Sequence, residues 1–535
     1  MISAEAPAES GTVAGSGRPG LRLRWALLVC LAGGVLLTLA FPPFGIWPLA
    51  VAGPGLLVLA LAGRSLRGSF CCGLVFGLSF FFFLLTWLVN VAWYAWIALA
   101  VALAVIFAVL TIGQRLLLRL RFWPVAVAAW WVTAEAVRDR WPWPFPWGRL
   151  AMSQAGAPDA GWMAIGGAPL LTFLLALTGA VIAWAVLSST AGAARRIWRI
   201  PVPAVVAVLT AGIVLAIAAV PVDPVGHAPT AEVAGIQGNV PRARNLPQQL
   251  NDTEVTQNHA SATLKLAAQV KSGQRPAPDL VIWPENSTDL SPFEYPSIYD
   301  EVATAVDAIG RPILVGEVLQ NPQLNVGQLW TPGKGPGLKY AKRQLVPFGE
   351  YEPIRGFISL FTNLTSLVPV NFVPGKSAVV FNVGKIRLGD VICYEVAFDP
   401  LVRSEVNAGA NLLTVQSNDA DTEIDGQAGG TEQQVAMAQL RAVESDRAVL
   451  YVSTTGESAI IAPDGQVIMR SGLWQQAILQ ARVPLVTYRT LADRVGQWPE
   501  YVLIAVTVAS LLLALCLVTG IGPRSAGTMR WVRVS

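Results

Sequence analysis

A lone cysteine in a long polar segment is the first residue that invites a chemical reading. The 535-residue chain has five cysteines, and Cys30, Cys71, Cys72 and Cys516 all fall in apolar runs, where thiols usually serve as small packing groups. Cys393 stands alone between residues 222 and 498, with no partner there for an intrachain disulfide. It is therefore either a buried structural thiol or a nucleophile. Cys393 ends the run Gly389-Asp390-Val391-Ile392-Cys393-Tyr394-Glu395. Two other runs end in the same way on a reactive side chain. One is Leu280-Val281-Ile282-Trp283-Pro284-Glu285-Asn286, and the other is Tyr340-Ala341-Lys342 followed by Leu345-Val346-Pro347-Phe348-Gly349-Glu350-Tyr351. Reactive groups at strand ends are expected at the rim of an α/β sheet, where sites gather.

Each of these residues also has a plain structural reading. Glu285 could cap a helix or serve in a turn, and Lys342 could be a solvated strand lysine. Glu350 and Glu395 could pair with a lysine or with backbone amides. Together, however, carboxylate, ammonium and thiol can do covalent chemistry. A nearby cation lowers the ordinary thiol pKa of about 8.5, a carboxylate can move the proton, and an ammonium can donate to an oxyanion.

Other chemistries lack their residues. The only histidines are His227, in a linker, and His259, expected on the surface of a polar helix, so neither a Ser-His-Asp triad nor a histidine-rich metal site is expected. Gly333-Lys334-Gly335-Pro336-Gly337 lacks P-loop spacing and reads as a solvated loop between strands. The net charge of +4 is small, and its arginines lie scattered between apolar runs, against nucleic-acid binding.

Those runs must carry the reactive segment to a bilayer. Hydrophobic residues make up 53% of the chain and charged residues 13%, about half the usual charged share. Apolar runs long enough for a spanning helix (roughly 17–25 residues) are expected near 24–41, 46–63, 69–89, 91–117, 122–138, 166–188, 202–220 and 499–520. The third and fourth nearly abut, which leaves a re-entrant pair open. Five arginine clusters, at 22/24, 64/67, 115/119/121, 195/196/199 and 524/530/533, fall on one side of eight alternating spans. Arg138, Arg140 and Arg149 fall opposite. Positive loops stay cytoplasmic, so both termini are expected inside and 222–498 outside. The expected organisation is a cytoplasmic tail (1–23), a seven-helix membrane domain (24–221), an extracytoplasmic domain (222–498), a final transmembrane helix (499–520) and a short tail (521–535).

Within 222–498, strands are expected at 232–237, 279–283, 312–317, 386–393 and 411–416, with helices at 296–309 and 431–447. A hairpin is expected over 458–462 and 466–470, turning at Pro463-Asp464-Gly465. Strands alternating with helices imply a layered α/β domain.

With these motifs in order, the sequence resembles the nitrilase superfamily and, given its flanking spans, the apolipoprotein N-acyltransferase family. Phe145-Pro146-Trp147 and Gln237-Gly238-Asn239 extend the resemblance over nearly the whole chain after the tail. It implies an αββα sandwich outside the membrane, a Glu285–Lys342–Cys393 triad and a supporting role for Glu350, with Glu395 a further supporting candidate. It also implies transfer of an acyl chain from a phospholipid, through a thioester, to the amine of a diacylated apolipoprotein. Such ester-to-amide exchange needs no cofactor. Two loops depart from the family pattern. Ser417-Asn418-Asp419-Ala420 is followed by Asp421 in place of an aromatic, and no tryptophan closely follows Asn239. Asp421, Glu423 and Asp425, among glycines, are expected to form a mobile polar lid outside the acyl pocket. A membrane-tethered amidase needs the same triad. An inactive nitrilase-domain scaffold or transporter is the third reading, and a transporter should carry charges well inside its spans.

Overall fold

The computed structural model describes residues 21–190, 228–240, 248–353, 370–420, 422–423 and 429–519. Backbone polar groups in a bilayer must bond within their own segment, and the apolar first part of the chain is accordingly helical. It forms α1 (Leu23–Leu39), α2 (Leu49–Leu61), α3 (Leu66–Leu84), α4 (Leu88–Leu117), α5 (Trp123–Arg138) and α6 (Met163–Thr190). Among the described residues, four helices are long and apolar enough to cross a membrane: α3, α4, the stretch Ala160–Ser188 and the C-terminal Trp498–Thr519. Helices α1 and α2 are shorter apolar helices of 17 and 13 residues, and α5 has 16. The expected span 202–220 and both terminal tails lie outside the described residues, apart from the short stretch that leads into α1.

Close backbone contact makes α3 and α4 an antiparallel pair. A Cβ on Gly73 would collide with Thr111, and one on Gly77 with Ala104. Small residues at such positions let helices approach closely. Non-helical backbone at Ala92 breaks α4 near its start. There Asn90 Nδ2 donates to the Thr422 carbonyl at 2.8 Å, so this helical hairpin touches the following domain.

That domain is a sandwich of two mixed six-stranded sheets. The first has the order β12-β1-β2-β3-β4-β5, where β1 is Thr230–Gln237, β2 Leu280–Ile282, β3 Ile313–Leu319, β4 Leu324–Thr331, β5 Gly335–Ala341 and β12 Ala477–Pro484. The second has the order β11-β10-β9-β8-β7-β6, where β6 is Val380–Val383, β7 Ile386–Ile392, β8 Leu412–Ser417, β9 Val449–Ser453, β10 Ala459–Ile461 and β11 Val467–Arg470. The centres are parallel (β1–β2–β3 and β7–β8–β9) and the margins antiparallel.

Side-chain alternation assigns the layers. Leu280, Ile282, Leu388, Ile392, Leu412 and Leu450 meet between the sheets. Val281, Trp283 and Val315 face outward against α7 (Gln248–Lys271) and α8 (Pro296–Ile309). On the other side Val391 and Val415 face α9 (Asp399–Asn407) and α10 (Gly429–Ser445). This last cluster runs without a break into α1–α6, so the outer helix layer of the second sheet also serves as the seat on the apolar helices. The short α11 (Leu491–Val495) leads into α12 (Trp498–Thr519).

The helix at 296–309 and the 458–470 hairpin fall where expected. The helix expected at 431–447 is α10, set two residues earlier. Of the expected loop 333–337, residues from Gly335 onward open β5 instead. Gly335 takes a φ of +75°, which a glycine adopts freely at the turn out of β4. His259 is fully buried, correcting its surface assignment. Its ring tilts against Trp283 with centroids 5.7 Å apart and sits on Gly238, where a Cβ would lie 2.5 Å from it. Burial pushes its pKa down to about 4, so the ring packs as a neutral aromatic.

A buried ionic network joins the two parts. Arg149 Nη1 lies 2.9 Å from Asp399, Arg441 bridges Asp399 and Glu444, and Arg403 adds to Glu444 at 3.3 Å. Gly167, at a φ of +66° in the break of α6, lets its backbone come against Glu444, where a Cβ would lie 2.9 Å from the carboxylate. Removing one member of such a network strands a charge, at about 3–5 kcal/mol. Arg149→Met or Asp399→Leu alone should therefore lower the thermal midpoint in detergent strongly, and the double replacement should recover part of the loss. Additive losses would show that the pair does not couple.

Candidate active site

Each reactive residue stands just past the end of a strand, on the rim that the two sheets share. Strand β2 ends at Ile282, and Trp283-Pro284 deliver Glu285 to the seam, 4% exposed. The turn continues through Asn286 at a φ of +53°, a conformation asparagine tolerates. Strand β5 ends at Ala341 and places Lys342 beside it, 2% exposed. Lys342 Nζ donates to Glu285 Oε1 and to Glu350 Oε1, both at 2.9 Å. Burial alone would favour the neutral amine, but the Glu285 and Glu350 carboxylates overcome it and hold the Lys342 pKa well above its ordinary value. Sequence reading missed Asn325, whose Nδ2 donates to Glu285 at 2.6 Å and to Glu350 at 3.1 Å. Its sequence surroundings carry no signal for this role, which shows only in its burial beside the two acids.

Cys393 turns the chain out of β7 with a φ of +52° and begins a 3₁₀ turn, Cys393–Ala397. Such a conformation is strained for a non-glycine residue. Glu395 stabilises it by accepting from Ile392 N at 2.8 Å, Arg343 N at 2.6 Å, Gln344 N at 3.0 Å and the Tyr340 hydroxyl at 2.7 Å. Glu395 thus pairs mainly with backbone amides and stitches the cysteine turn to the segment that follows Lys342. Burial and the Glu285 charge push the Cys393 thiol up, while Lys342 acts in the opposite direction. At neutral pH the resting sulfur is a thiol that needs a base. Gln434 Nε2 lies 4.0 Å from Sγ.

The wall beside Cys393 comes from the segment between α5 and α6. Trp147 stacks with Tyr394 at 12° between planes, Trp147 Nε1 donates to Gln433 Oε1 at 2.5 Å, and the Tyr394 hydroxyl donates to the Pro144 carbonyl at 2.6 Å. Among the described residues no cluster of His, Cys, Asp and Glu is placed to hold a metal ion.

Of the three acids expected in a polar lid, Asp421 and Asp425 lie outside the described residues. Glu423 is fully buried rather than solvated, because two threonine hydroxyls, Thr431 and Thr455, donate to its carboxyl group. Burial and the nearby Asp419 charge raise its pKa from 4.5 to about 9. With a folded value above the unfolded one, the folded chain binds the extra proton. This contribution is complete below the unfolded value and is lost as pH rises through the range up to about 9. Glu423→Gln should therefore match the native thermal midpoint near pH 4 and exceed it increasingly towards pH 8. A pH-independent gap would show that Glu423 is ionised in the fold.

Comparison with known proteins converges on one family. Residues 33–181 match the apolipoprotein N-acyltransferase N-terminal domain, and residues 242–493 match the carbon-nitrogen hydrolase family. An apolipoprotein N-acyltransferase of Mycolicibacterium smegmatis is 36% identical over 521 residues, covering 91% of this chain and 85% of the relative. That of Pseudomonas putida is 29% identical over 522 residues, covering 91% and 96%, and that of Azotobacter vinelandii is 31% identical over 511 residues, covering 88% and 92%. With both parts matched and identity above 30% over most of the chain, the protein belongs to the apolipoprotein N-acyltransferase family, enzymes of the nitrilase superfamily.

Proposed function

We propose that this enzyme moves an acyl chain from a phospholipid to the α-amine of an S-diacylglyceryl-cysteine at the N-terminus of an apolipoprotein, by way of a thioester on Cys393. The observation that carries the reading is the buried Lys342 ammonium, fixed by two carboxylates beside the strand end that bears the lone thiol. Two of its three N–H groups go to Glu285 and Glu350, which leaves one for a developing oxyanion.

The steps follow from these roles. Glu285 takes the thiol proton, and Sγ attacks the ester carbonyl. Lys342 donates to the oxyanion, the C–O bond breaks, and Glu285 returns the proton to the departing lysophospholipid oxygen. The acceptor amine then attacks the thioester and gives its proton to Glu285. When the C–S bond breaks, the Cys393 thiolate recovers that proton. Glu350 and Asn325 hold Lys342 and Glu285 in place, and Glu395 holds the cysteine turn.

In this reading α1–α6, the stretch 202–220 and α12 act as eight spans, with 24–221 and 499–520 in the membrane and 222–498 outside. The arginine asymmetry along the sequence supports that orientation. Reporter fusions at Pro229 and at the C-terminus should give opposite signals, and identical signals would sink this topology.

The mechanism is tested with labelled phospholipid alone. The native enzyme should accumulate a hydroxylamine-sensitive acyl thioester, and Cys393→Ala should form none. Lys342→Ala and Glu285→Ala should slow acylation by about 10²–10⁴-fold while remaining folded. Adding a diacylated lipopeptide should yield an N-acylated product by mass. Release of free fatty acid instead would favour a tethered amidase, and the absence of any thioester would favour an inactive scaffold.

A further inference from the structure

Directly behind the proposed triad, the seam between the sheets holds an acid that the mechanism does not use. Asp390 lies on β7, three residues before Cys393, and is fully buried. Its side chain shares the inner face of the second sheet with Gln416 of β8, whose Cα pairs with that of Ile392. Opposite them stands Gly327 of β4 in the other sheet. A Cβ there would overlap Asp390 Oδ2 and lie 2.5 Å from Gln416 Oε1, so both oxygens border the small space in front of Gly327. Neither Asp390 oxygen nor Gln416 Oε1 has a hydrogen-bond donor among the described residues.

The amide orientation of Gln416 is fixed independently. Its Nε2 donates to the Trp283 carbonyl at 2.5 Å. Flipping the amide would set two carbonyl oxygens face to face, so Oε1 is the atom turned to the space that Asp390 also borders. Buried acceptors that border one space without a donor are unfavourable, and a single proton on the carboxyl group would supply one. Burial, with the Glu395, Glu405 and Glu285 charges around it, raises the Asp390 pKa well above the ordinary value and so favours that proton.

We propose that Asp390 is a positioning residue, donating its O–H to Gln416 Oε1 and thereby tying the strand of Cys393 to the strand of Glu285. The path is short. Asp390 holds Gln416, Gln416 holds Trp283 two residues before Glu285, and Asn418, two residues beyond Gln416, donates its N–H to Glu285 Oε2 at 2.9 Å. Nucleophile and base sit on different sheets, so only contacts that cross the seam can set their separation. Gly327 is the position that leaves room for the crossing.

This inference rests on the triad proposed above, and its test keeps the two separable. In Asp390→Asn the Nδ2–H can still donate to Gln416, whereas in Asp390→Leu no donor remains. Each full-length variant is assayed in detergent for thioester formation and for alkylation of Cys393 by iodoacetamide, both normalised to titrated, folded protein. Asp390→Leu should lower both rates by about 10–100-fold, as expected for slight misplacement of reacting groups, and Asp390→Asn should restore them to near native. A native-minus-Asp390→Asn infrared difference should contain the carbonyl band of a protonated carboxylic acid. That band and the Asp390→Asn rates decide the matter should Asp390→Leu not fold. A native rate in Asp390→Leu, an Asp390→Asn variant as slow as Asp390→Leu, or no acid band would each overturn the assignment. If the native enzyme alkylates at Cys393 but forms no thioester, the proposed reaction fails instead, and the alkylation ratios still judge Asp390.

Discussion

A buried ammonium between the two sheets is the constraint around which the rest of the site is built. Taking Lys342 out of water costs several kcal/mol for the ion alone, and Glu285 and Glu350 offset that cost at 2.9 Å each. Two carboxylates around one cation leave oxygen atoms still needing donors. They come from separate elements: Asn325 of β4 to both acids, the Asn418 backbone after β8 to Glu285, and the Val346 backbone to Glu350. Glu395 repeats the device on the neighbouring turn, drawing amides from 343–344 to the elbow of Cys393. No member of this set can shift without stranding a buried polar group, which is what rigid placement of reacting atoms requires.

The second sheet reaches the apolar helices through the same helix layer that supports Cys393. On α10, Gln433 donates to the carbonyls of Pro42 and Leu84 and accepts from Trp147, while the next residue, Gln434, faces Cys393 Sγ. Consecutive amides thus bind the helix ends and approach the thiol. The same docking accounts for arginines that break the charge asymmetry of the loops. Arg149 is buried against Asp399, and Arg140 pairs with Glu500 at the start of α12. They serve as ion-pair partners between the parts of the fold.

Much of this was legible because local patterns carry it. Apolar runs ending in Glu285 and Cys393 located strands β2 and β7 and the shared rim, and the 296–309 periodicity located α8 to the residue. Strand β4 was missed because Asn325, Gly327 and Gln328 are not strand formers. Asn325 serves the carboxylates of the seam and Gly327 the space in front of Asp390, while Gln328 donates to the Gly337 carbonyl of β5. The solvated reading of Glu423 was wrong for a related reason. An acid among glycines looks solvated in one dimension, but threonines from α10 and from the turn after β9 supply its bonds from elsewhere in the chain. His259 was misplaced because a polar helix gives no sign of which face a glycine on another segment will receive.

The charge state of the site bears on how the proposed reaction would order its two lipid substrates. Glu285, Glu350 and Lys342 together carry one excess negative charge, with the Cys393 thiol neutral at rest because burial raises it. When the thiol proton passes to Glu285, the negative charge moves to sulfur without changing the total, so the site need not import or expel an ion to become nucleophilic. An anionic phosphodiester is repelled by that excess at short range in a seam of low dielectric. The donor would therefore present its ester carbonyl to Lys342 with its headgroup held away, along the aromatic wall of Trp147 and Tyr394. The acceptor, arriving as an ammonium, would be attracted by the same charge, release one proton to water before it attacks and give the second to Glu285. One fixed cluster thereby favours the tail end of the donor and the head end of the acceptor, which suits a thioester resolved by amine rather than by water.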